Sequence, residues 1–557
     1  MQFDAVLLKQ RRDAMVAGGF WLDRTINDAL DDAVRLCPEK LALTAYRIER
    51  GDVRRFTYAE LSVMADRIAV GLSRLGIGHN DVVACQLPNS WELFLLYLAC
   101  SRIGAVMNPL MHIFRERELR FMLDYAETRL FIVPKLFRKF DYEAMAKGLQ
   151  TEIHRLERVI VAGGDGEDSF EALLSGAEWE KAPDAQAILS THRPGGDDIT
   201  QLLFTSGTTG QPKGVMHSAN TLISNIQAYA ARLHLGANDT ILMASPMAHQ
   251  TGFMYGLMMP IILQARAVLQ DIWQAPKAAE VIRAESVSFT MASTPFLMDL
   301  THEVEESGKP VPTLRCFLCA GAPIPGPLVA QAQETLGAKI ISAWGMTENG
   351  AVTLTMPEDD DERAVNTDGK PLPGVKVKIL DDTDQPVPPG VEGRLFVRSC
   401  SNFGGYLKSA HLNAMDEEGW FDSGDIARMD ERGYIRIAGR SKDVIIRGGE
   451  NIPVVEIEAL LYQHPAIASV AIVGYDDARM GERACAFVVP HEAHAPPTLR
   501  DIADYLRGLQ VAIQYVPERL EILEAMPTTP SGKIQKFKVR NILRQRLVEE
   551  SAKAERS

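Results

Sequence analysis

Cysteine and long apolar runs are both scarce in this 557-residue chain. The seven cysteines, at positions 37, 85, 100, 316, 319, 400 and 485, are scattered and odd in number. That excludes a disulfide framework and points to a reduced, intracellular protein. Cys316 and Cys319 form a CxxC within the run CFLCA, but no second pair stands at zinc spacing. Core thiols are the expected reading there, against metal or redox chemistry. The longest apolar stretch, residues 252–263, is too short to span a bilayer. The N-terminal MQFDAVLLKQRRD bears charge too early for a secretory signal, so a cytoplasmic location is expected. Positive charge is also in deficit, with 59 Lys and Arg against 73 Asp and Glu and a net charge of −14. Such a balance argues against a general nucleic-acid or acidic-membrane surface. No internal repeat, coiled coil or low-complexity run is present.

The common phosphate loop, G-x-x-x-x-G-K-[ST], is missing too. What stands instead is TSGTTGQPKGVMH at residues 205–217, which gathers Thr205, Ser206, Gly207, Thr208, Thr209, Gly210 and Gly214 around Lys213. Such a loop offers backbone N–H groups and hydroxyls to a polyphosphate, with a cation beside them. Residues 199–204 read as a buried strand before it. Ser218 or Asn220 is placed to cap a helix after it, with apolar residues at helical spacing from Leu222 to Leu233. The expected setting is strand, loop, helix; the competing reading is a flexible surface loop.

At this length two or more domains are expected. Strand-like and helical segments alternate from about residue 40 to 440, which argues layered α/β structure. Within that span, residues 369–398 change texture to short β-like pieces, VKVKIL and GRLFVR, separated by a turn. Beyond residue 443 the pattern suits a compact α+β unit. The tail from Lys533 is basic and helix-compatible, with Lys536, Lys538, Arg540, Arg544 and Arg546. It reads either as a solvated face or as a docking surface for an anionic ligand.

Further segments carry chemistry: WGMTE at 344–348, GWFDSGD at 419–425, GRSKDVIIRGGENIP at 439–453 and PTTPSGK at 527–533. Two lesser ones are PMAHQTG at 246–252 and AGAPIP at 320–325. Together with the 205–217 segment, and in this order, they resemble the signatures of the adenylate-forming superfamily. That superfamily holds acyl-CoA synthetases, peptide-synthetase adenylation domains and beetle luciferases.

The resemblance implies a large layered α/β N-terminal domain with a β-rich subdomain, residues 1–440. It implies a small mobile α+β C-terminal domain, residues 441–557, with a hinge at Lys442. ATP or AMP would lie against Thr205, Ser206, Gly207, Thr208, Thr209, Lys213, Gly321, Ala322, Pro323, Trp344, Gly345, Asp425 and Arg440. Trp344, where the family usually has Tyr, keeps a face for adenine but lacks the phenol hydroxyl. Thr347 would donate to the α-phosphate and Glu348 would hold Mg2+. Lys533 would be the catalytic cation of adenylation. Gly448 and Gly449 would let the pantetheine arm of CoA pass against the backbone. His249, Thr251, Ala320, Ala343 and Gly350 would set the acyl pocket, small residues such as Gly345 leaving room for a bulky acid.

The implied reaction is ATP-dependent ligation of a carboxylic acid to CoA through an acyl-adenylate, with ATP, Mg2+ and CoA required. Residues 241–259 contain no acidic side chain to pair with an amino-acid ammonium, which disfavours a peptide-synthetase domain. The N-terminal run FDAVLLKQRRDAMVAGGFWLDRTINDAL looks most like that of bacterial cyclohexanecarboxylate–CoA ligases. Medium-chain fatty acid–CoA ligases come next and aromatic acids third. A non-catalytic adenylate-binding protein would be expected to have lost Lys213, Glu348 or Lys533, and all three are present. The expected partners are a small carboxylic acid, ATP and CoA, with no nucleic acid and no stable membrane insertion; a homodimer is left open.

Overall fold

Apolar runs without alternation mark elements covered on every side, and the helix Trp91–Arg102 is the plainest example. All twelve of its residues are buried. Ser90 caps it through its hydroxyl. It lies in one core with Phe289, Leu318 and Ile341 from one sheet and Val83, Met107 and Ile132 from another. Burying each such leucine or isoleucine contributes about 1.5–3 kcal/mol, so this helix anchors two sheets to each other. The computed structural model describes the chain except residues 192, 206–211, 322–323, 441–444, 448–449, 478–479, 510, 512, 529–531, 533 and 555–557. At residues 440, 446, 450, 451, 481, 514 and 551–554 it describes the backbone alone.

The first sheet has nine strands. At its centre Lys339–Met346, Cys316–Ala320, Phe289–Ala292, Thr240–Met243, Arg266–Gln270 and Leu41–Arg47 run parallel. The second has seven strands, in the order Gly405–Tyr406, Lys213–Ser218, Ile199–Thr205, Val106–Pro109, Val82–Cys85, Leu130–Pro134 and Arg158–Ala162. A four-stranded antiparallel sheet follows, made of Val375–Leu380, Gly393–Ser399, Phe421–Met429 and Ile435–Arg440. The β-like texture expected for residues 369–398 is therefore half of a sheet that runs on to residue 440.

A fourth sheet belongs to the smaller C-terminal domain, centred on Ile467–Asp477 and Gly481–Pro490. Alternation along these strands sends side chains to two faces. Val470 and Ile472 pack under the helices Val454–Leu461 and Leu499–Gly508. Ala471 and Val473 pack against Val539 and Leu543 of the helix Lys536–Ala554. Among the described residues, no helix is long and apolar enough to cross a membrane.

One expectation is corrected. The segment after the glycine- and threonine-rich loop is not a helix start but a strand, Lys213–Ser218, paired antiparallel with Ile199–Thr205. Its residues Val215 and Met216 are buried between two neighbouring strands, so a strand is interposed between the loop and the capping signal. Ser218 does cap a helix, Ala219–Arg232, through its hydroxyl. That helix begins six positions after Lys213, so the paired strands Ile199–Thr205 and Lys213–Ser218, and not a helix N-terminus, flank the loop segment.

Candidate active site

Parallel strands that end at one edge leave their loops together there, the usual place for a ligand in such sheets. Thr205 and Lys213 are register partners that close the hairpin around the loop. Both are half-buried. The Lys213 ammonium lies 4.7 Å from the centre of the Tyr406 ring, within cation–π range. The Tyr406 hydroxyl donates to Oε1 of Glu348 at 2.7 Å, and Glu348 is only 7% exposed. Its backbone is held as well, since the Phe403 N–H donates to the Glu348 carbonyl at 2.7 Å. Thr347 is half-buried beside it.

His217, at the other end of the Lys213 strand, reaches the same turn. Its Nε2 lies 2.7 Å from the Thr347 carbonyl and its Nδ1 lies 3.0 Å from Thr221 Oγ1. A carbonyl only accepts, so Nε2 carries the proton. Burial, with a smaller push from Arg11, drives the imidazole down to about 4, against the opposing bond to Thr347. It is therefore a neutral, fixed strut.

Trp344 and Asp425 meet across the sheets. The indole Nε1 donates to Asp425 Oδ2 at 3.1 Å, and Asp425 is 4% exposed. Ser423 Oγ accepts the Asp425 N–H. Asp425 is the register partner of Arg440 on the neighbouring strand. Trp344 packs against the core of the four-stranded sheet with Leu395 and Ala427 and against the main core as well.

Ala320 and Ala343 are register partners on adjacent strands, and Gly321, exposed with φ at +91°, turns the chain after Ala320. Gly345 does not leave room for a ligand on its Cβ side. A Cβ there would stand 2.1 Å from the Gly350 carbonyl oxygen, so its smallness lets the hairpin of residues 344–354 close. Gly350, with φ at +66°, has Asn225 and the methyl of Met254 at 3.0–3.1 Å from its Cβ position. Behind it, Tyr255 donates to Asn225 Oδ1 at 2.6 Å and accepts the Ala351 N–H at 2.9 Å. Tyr229 stacks on Tyr255 with ring centres 4.1 Å apart.

His249 is exposed and Thr251 half-buried. The Thr251 N–H points to His249 Nδ1 at 3.3 Å. They lead into a π-helical stretch, Gly252–Met258, a form frequent at functional sites. On the C-terminal domain, the Gln535 N–H donates to the Pro527 carbonyl at 2.8 Å and Thr528 bridges Ile534, closing the PTTPSGK turn. Gly532 in that turn has Ser293 Oγ 3.0 Å from its Cβ position. Gly532 thus stands beside Ser293, the residue that follows the strand Phe289–Ala292. Ser206, Gly207, Thr208, Thr209, Ala322, Pro323, Lys442, Gly448, Gly449 and Lys533 lie outside the described residues. So does the side chain of Arg440.

Sequence reasoning missed Tyr406 and the strut role of His217. His217 closes the 205–217 segment, so its position was readable although its contact was not. Cys316 and Cys319 are buried, each raised to about 12 by burial, as core thiols would be. Among the described residues no group of three metal-ligating side chains is found.

A family model described as AMP-binding enzyme matches residues 30–407. One described as AMP-binding enzyme C-terminal domain matches residues 456–533. The chain is 35% identical over 545 residues to a medium-chain fatty-acid–CoA ligase of Escherichia coli (strain K12), covering 97% of this chain and 94% of the relative. It is 31% identical over 543 residues to a salicylyl-CoA synthase / salicylate adenylyltransferase of Streptomyces sp, covering 96% and 97%. The solved structure of the anthranilate CoA ligase AuaEII in complex with anthranoyl-AMP shares the fold. Its TM-score is 0.82 at 24% identity, over 94% of this chain and 97% of that one.

Proposed function

The chain belongs to the AMP-binding enzyme family and is an AMP-forming acid–CoA ligase; we propose that its acid is cyclohexanecarboxylate or a close relative. The observation that carries the site assignment is the pair of contacts that join three sheets: Lys213 and Tyr406 of the seven-stranded sheet reach Glu348 in the turn after Trp344, and Trp344 of the nine-stranded sheet reaches Asp425 of the four-stranded one. In the first half-reaction the substrate carboxylate attacks the α-phosphorus of ATP, and pyrophosphate leaves. The loop segment after Thr205 and Lys213 hold the phosphates, Thr347 donates to the α-phosphate, and Lys533 offsets the charge that develops there. Trp344 supplies a face for adenine and Asp425 accepts the ribose hydroxyls.

Mg2+ fits Glu348. A buried carboxylate, fixed through one oxygen by Tyr406, suits an ion held by one or two carboxylates plus substrate phosphates. When bound, the ion neutralises phosphate charge. In the second half-reaction the CoA thiol attacks the acyl carbonyl and AMP leaves. We assign residues 1–440 and 441–557 to two domains that turn about Lys442, so that Gly448 and Gly449 replace Lys533 at the site.

The side chains packed behind Gly350 favour an acid whose far end is uncharged and compact. Asn225, Tyr229, Met254 and Tyr255 carry no charge, and Tyr255 is pinned at Asn225 and Ala351. A rigid end of this kind suits a ring better than a long chain. The similarity to the E. coli medium-chain ligase favours a straight-chain acid as the second reading. Pyrophosphate release from ATP and Mg2+ across cyclohexanecarboxylate, benzoate and straight-chain acids, with and without CoA, tests both. A maximum at cyclohexanecarboxylate supports the first reading, and turnover confined to straight chains replaces it with the second.

A further inference from the structure

Arg11 sits 337 positions before Glu348 and ahead of the span matched by the family model. It is 7% exposed. Among the described residues its guanidinium faces carbonyl oxygens and no carboxylate. Nε donates to Leu7 at 3.0 Å, Nη1 to Ser399 at 3.0 Å, and Nη2 to Asn402 and Phe403 at 2.6 and 2.9 Å. Burial lowers it to about 10, yet a guanidinium stays charged at neutral pH. Trp21 covers it at 5.6 Å and itself donates to the Cys400 carbonyl at 2.8 Å.

The segment so gripped, residues 399–403, is the one that holds the Glu348 turn. The Phe403 N–H donates to the Glu348 carbonyl. The Ser401 hydroxyl donates to the Asn349 carbonyl at 2.7 Å. Three residues on, Tyr406 holds the Glu348 carboxylate. A buried charge without a counter-ion is costly, and this one is offset by the Leu7 carbonyl of its own helix and by three carbonyls of residues 399–403. We propose that Arg11 is a positioning residue for the metal carboxylate, clamping residues 399–403 so that Phe403 and Tyr406 fix Glu348 from backbone and side chain. This rests on the reading that Glu348 holds Mg2+.

The test is Mn2+ binding in the presence of ATP without acid, followed by electron paramagnetic resonance of free Mn2+. Adenylation and CoA-dependent consumption of preformed acyl-adenylate are measured alongside. Arg11→Lys keeps the charge but loses the fork; Trp21→Phe removes the Cys400 bond and trims the ring over Arg11, and serves where Arg11→Lys does not fold. Arg12→Gln, which breaks a partly exposed contact to Asp23 and Asp197, is the neighbouring control. Arg11→Lys should weaken Mn2+ binding about tenfold, the size seen when groups behind a ligand are lost. It should slow adenylation and spare acyl-adenylate consumption, while Arg12→Gln matches wild type. Wild-type Mn2+ binding in both Arg11→Lys and Trp21→Phe, or in Trp21→Phe where Arg11→Lys does not fold, overturns the proposal. Glu348→Gln separates the premises: if it too binds Mn2+ as wild type, the metal reading falls with the proposal, and if it alone weakens binding, only the Arg11 inference falls.

Discussion

The indole Nε1 of Trp344 donates to Oδ2 of Asp425 at 3.1 Å, joining the WGMTE strand to the GWFDSGD strand. A tyrosine at position 344 would need to bring its hydroxyl to the same carboxylate to serve this contact. The tryptophan thus has a task of its own, orienting a buried carboxylate that we assign to the ribose. Trp344→Phe keeps an aromatic face and deletes the donor. A hydrogen bond to a charged group is worth about 1.5–3 kcal/mol, so the KM for ATP should rise about tenfold or more, with kcat less affected. Steady-state kinetics in ATP at saturating acid and CoA measures the split; an unchanged KM would deny Asp425 its role.

Tyr406 separates two effects cleanly. Its ring lies under Lys213 and its hydroxyl holds Glu348. Tyr406→Phe keeps the ring and removes the donor, so the Mg2+ concentration needed for half-maximal adenylation should rise about tenfold. Tyr406→Leu removes both and should also weaken ATP binding through Lys213. Magnesium titrations of pyrophosphate release on the two variants check this; equal behaviour would mean the hydroxyl is idle.

His217 makes folding sensitive to acid. Folded, it stays neutral down to about pH 4, whereas its ordinary value is 6.5. Between those values the unfolded chain takes up a proton that the folded chain refuses. Stability therefore falls as pH drops from 6.5 towards 4. The loss reaches about 3 kcal/mol at the acid end. His112 follows the same sign, lowered to about 4 chiefly by burial, with Arg138 and Arg115 adding. His217→Gln should flatten part of this slope and leave the share of His112. Urea midpoints at pH 7 and pH 4.5 give the comparison.

What could be read in the sequence was what lay within short segments. Trp344, Thr347 and Glu348 fall within five consecutive residues, and the hydroxyls and glycines around Lys213 within ten. Their types and order carry the chemistry before any contact is known. The strand Lys213–Ser218 was hidden because only Val215 and Met216 of its six residues are apolar, and its pairing comes from neighbours on both sides. Tyr406 follows two glycines with no chemistry-bearing neighbour, and its partner is 58 residues away. Arg11 meets Ser399 across 388 residues. Contacts of that separation are made by the fold, and no local pattern announces them.

Gly345 shows the same limit in one position. Read by type, it looks like space for substrate; in place, it is space for backbone. Alanine there would set a Cβ 2.1 Å from the Gly350 oxygen and 2.8 Å from the Ala351 Cα. Neither atom can swing aside as a side-chain tip can, so the hairpin must open. Thr347 and Glu348 lie in its turn, so the site would be lost with it. Gly345→Ala should therefore destabilise by about 4 kcal/mol or more, the range reserved for a named steric or core defect. Gly321→Ala is the matched comparison. Its φ of +91° is unfavourable for alanine, but nothing lies within 4 Å of the added methyl, so the cost should stay near about 1–2 kcal/mol. Urea unfolding of the two variants decides the matter: a clear excess for Gly345→Ala fits a hairpin closed on bare backbone, and equal costs would mean the strands have room that the structure does not give them.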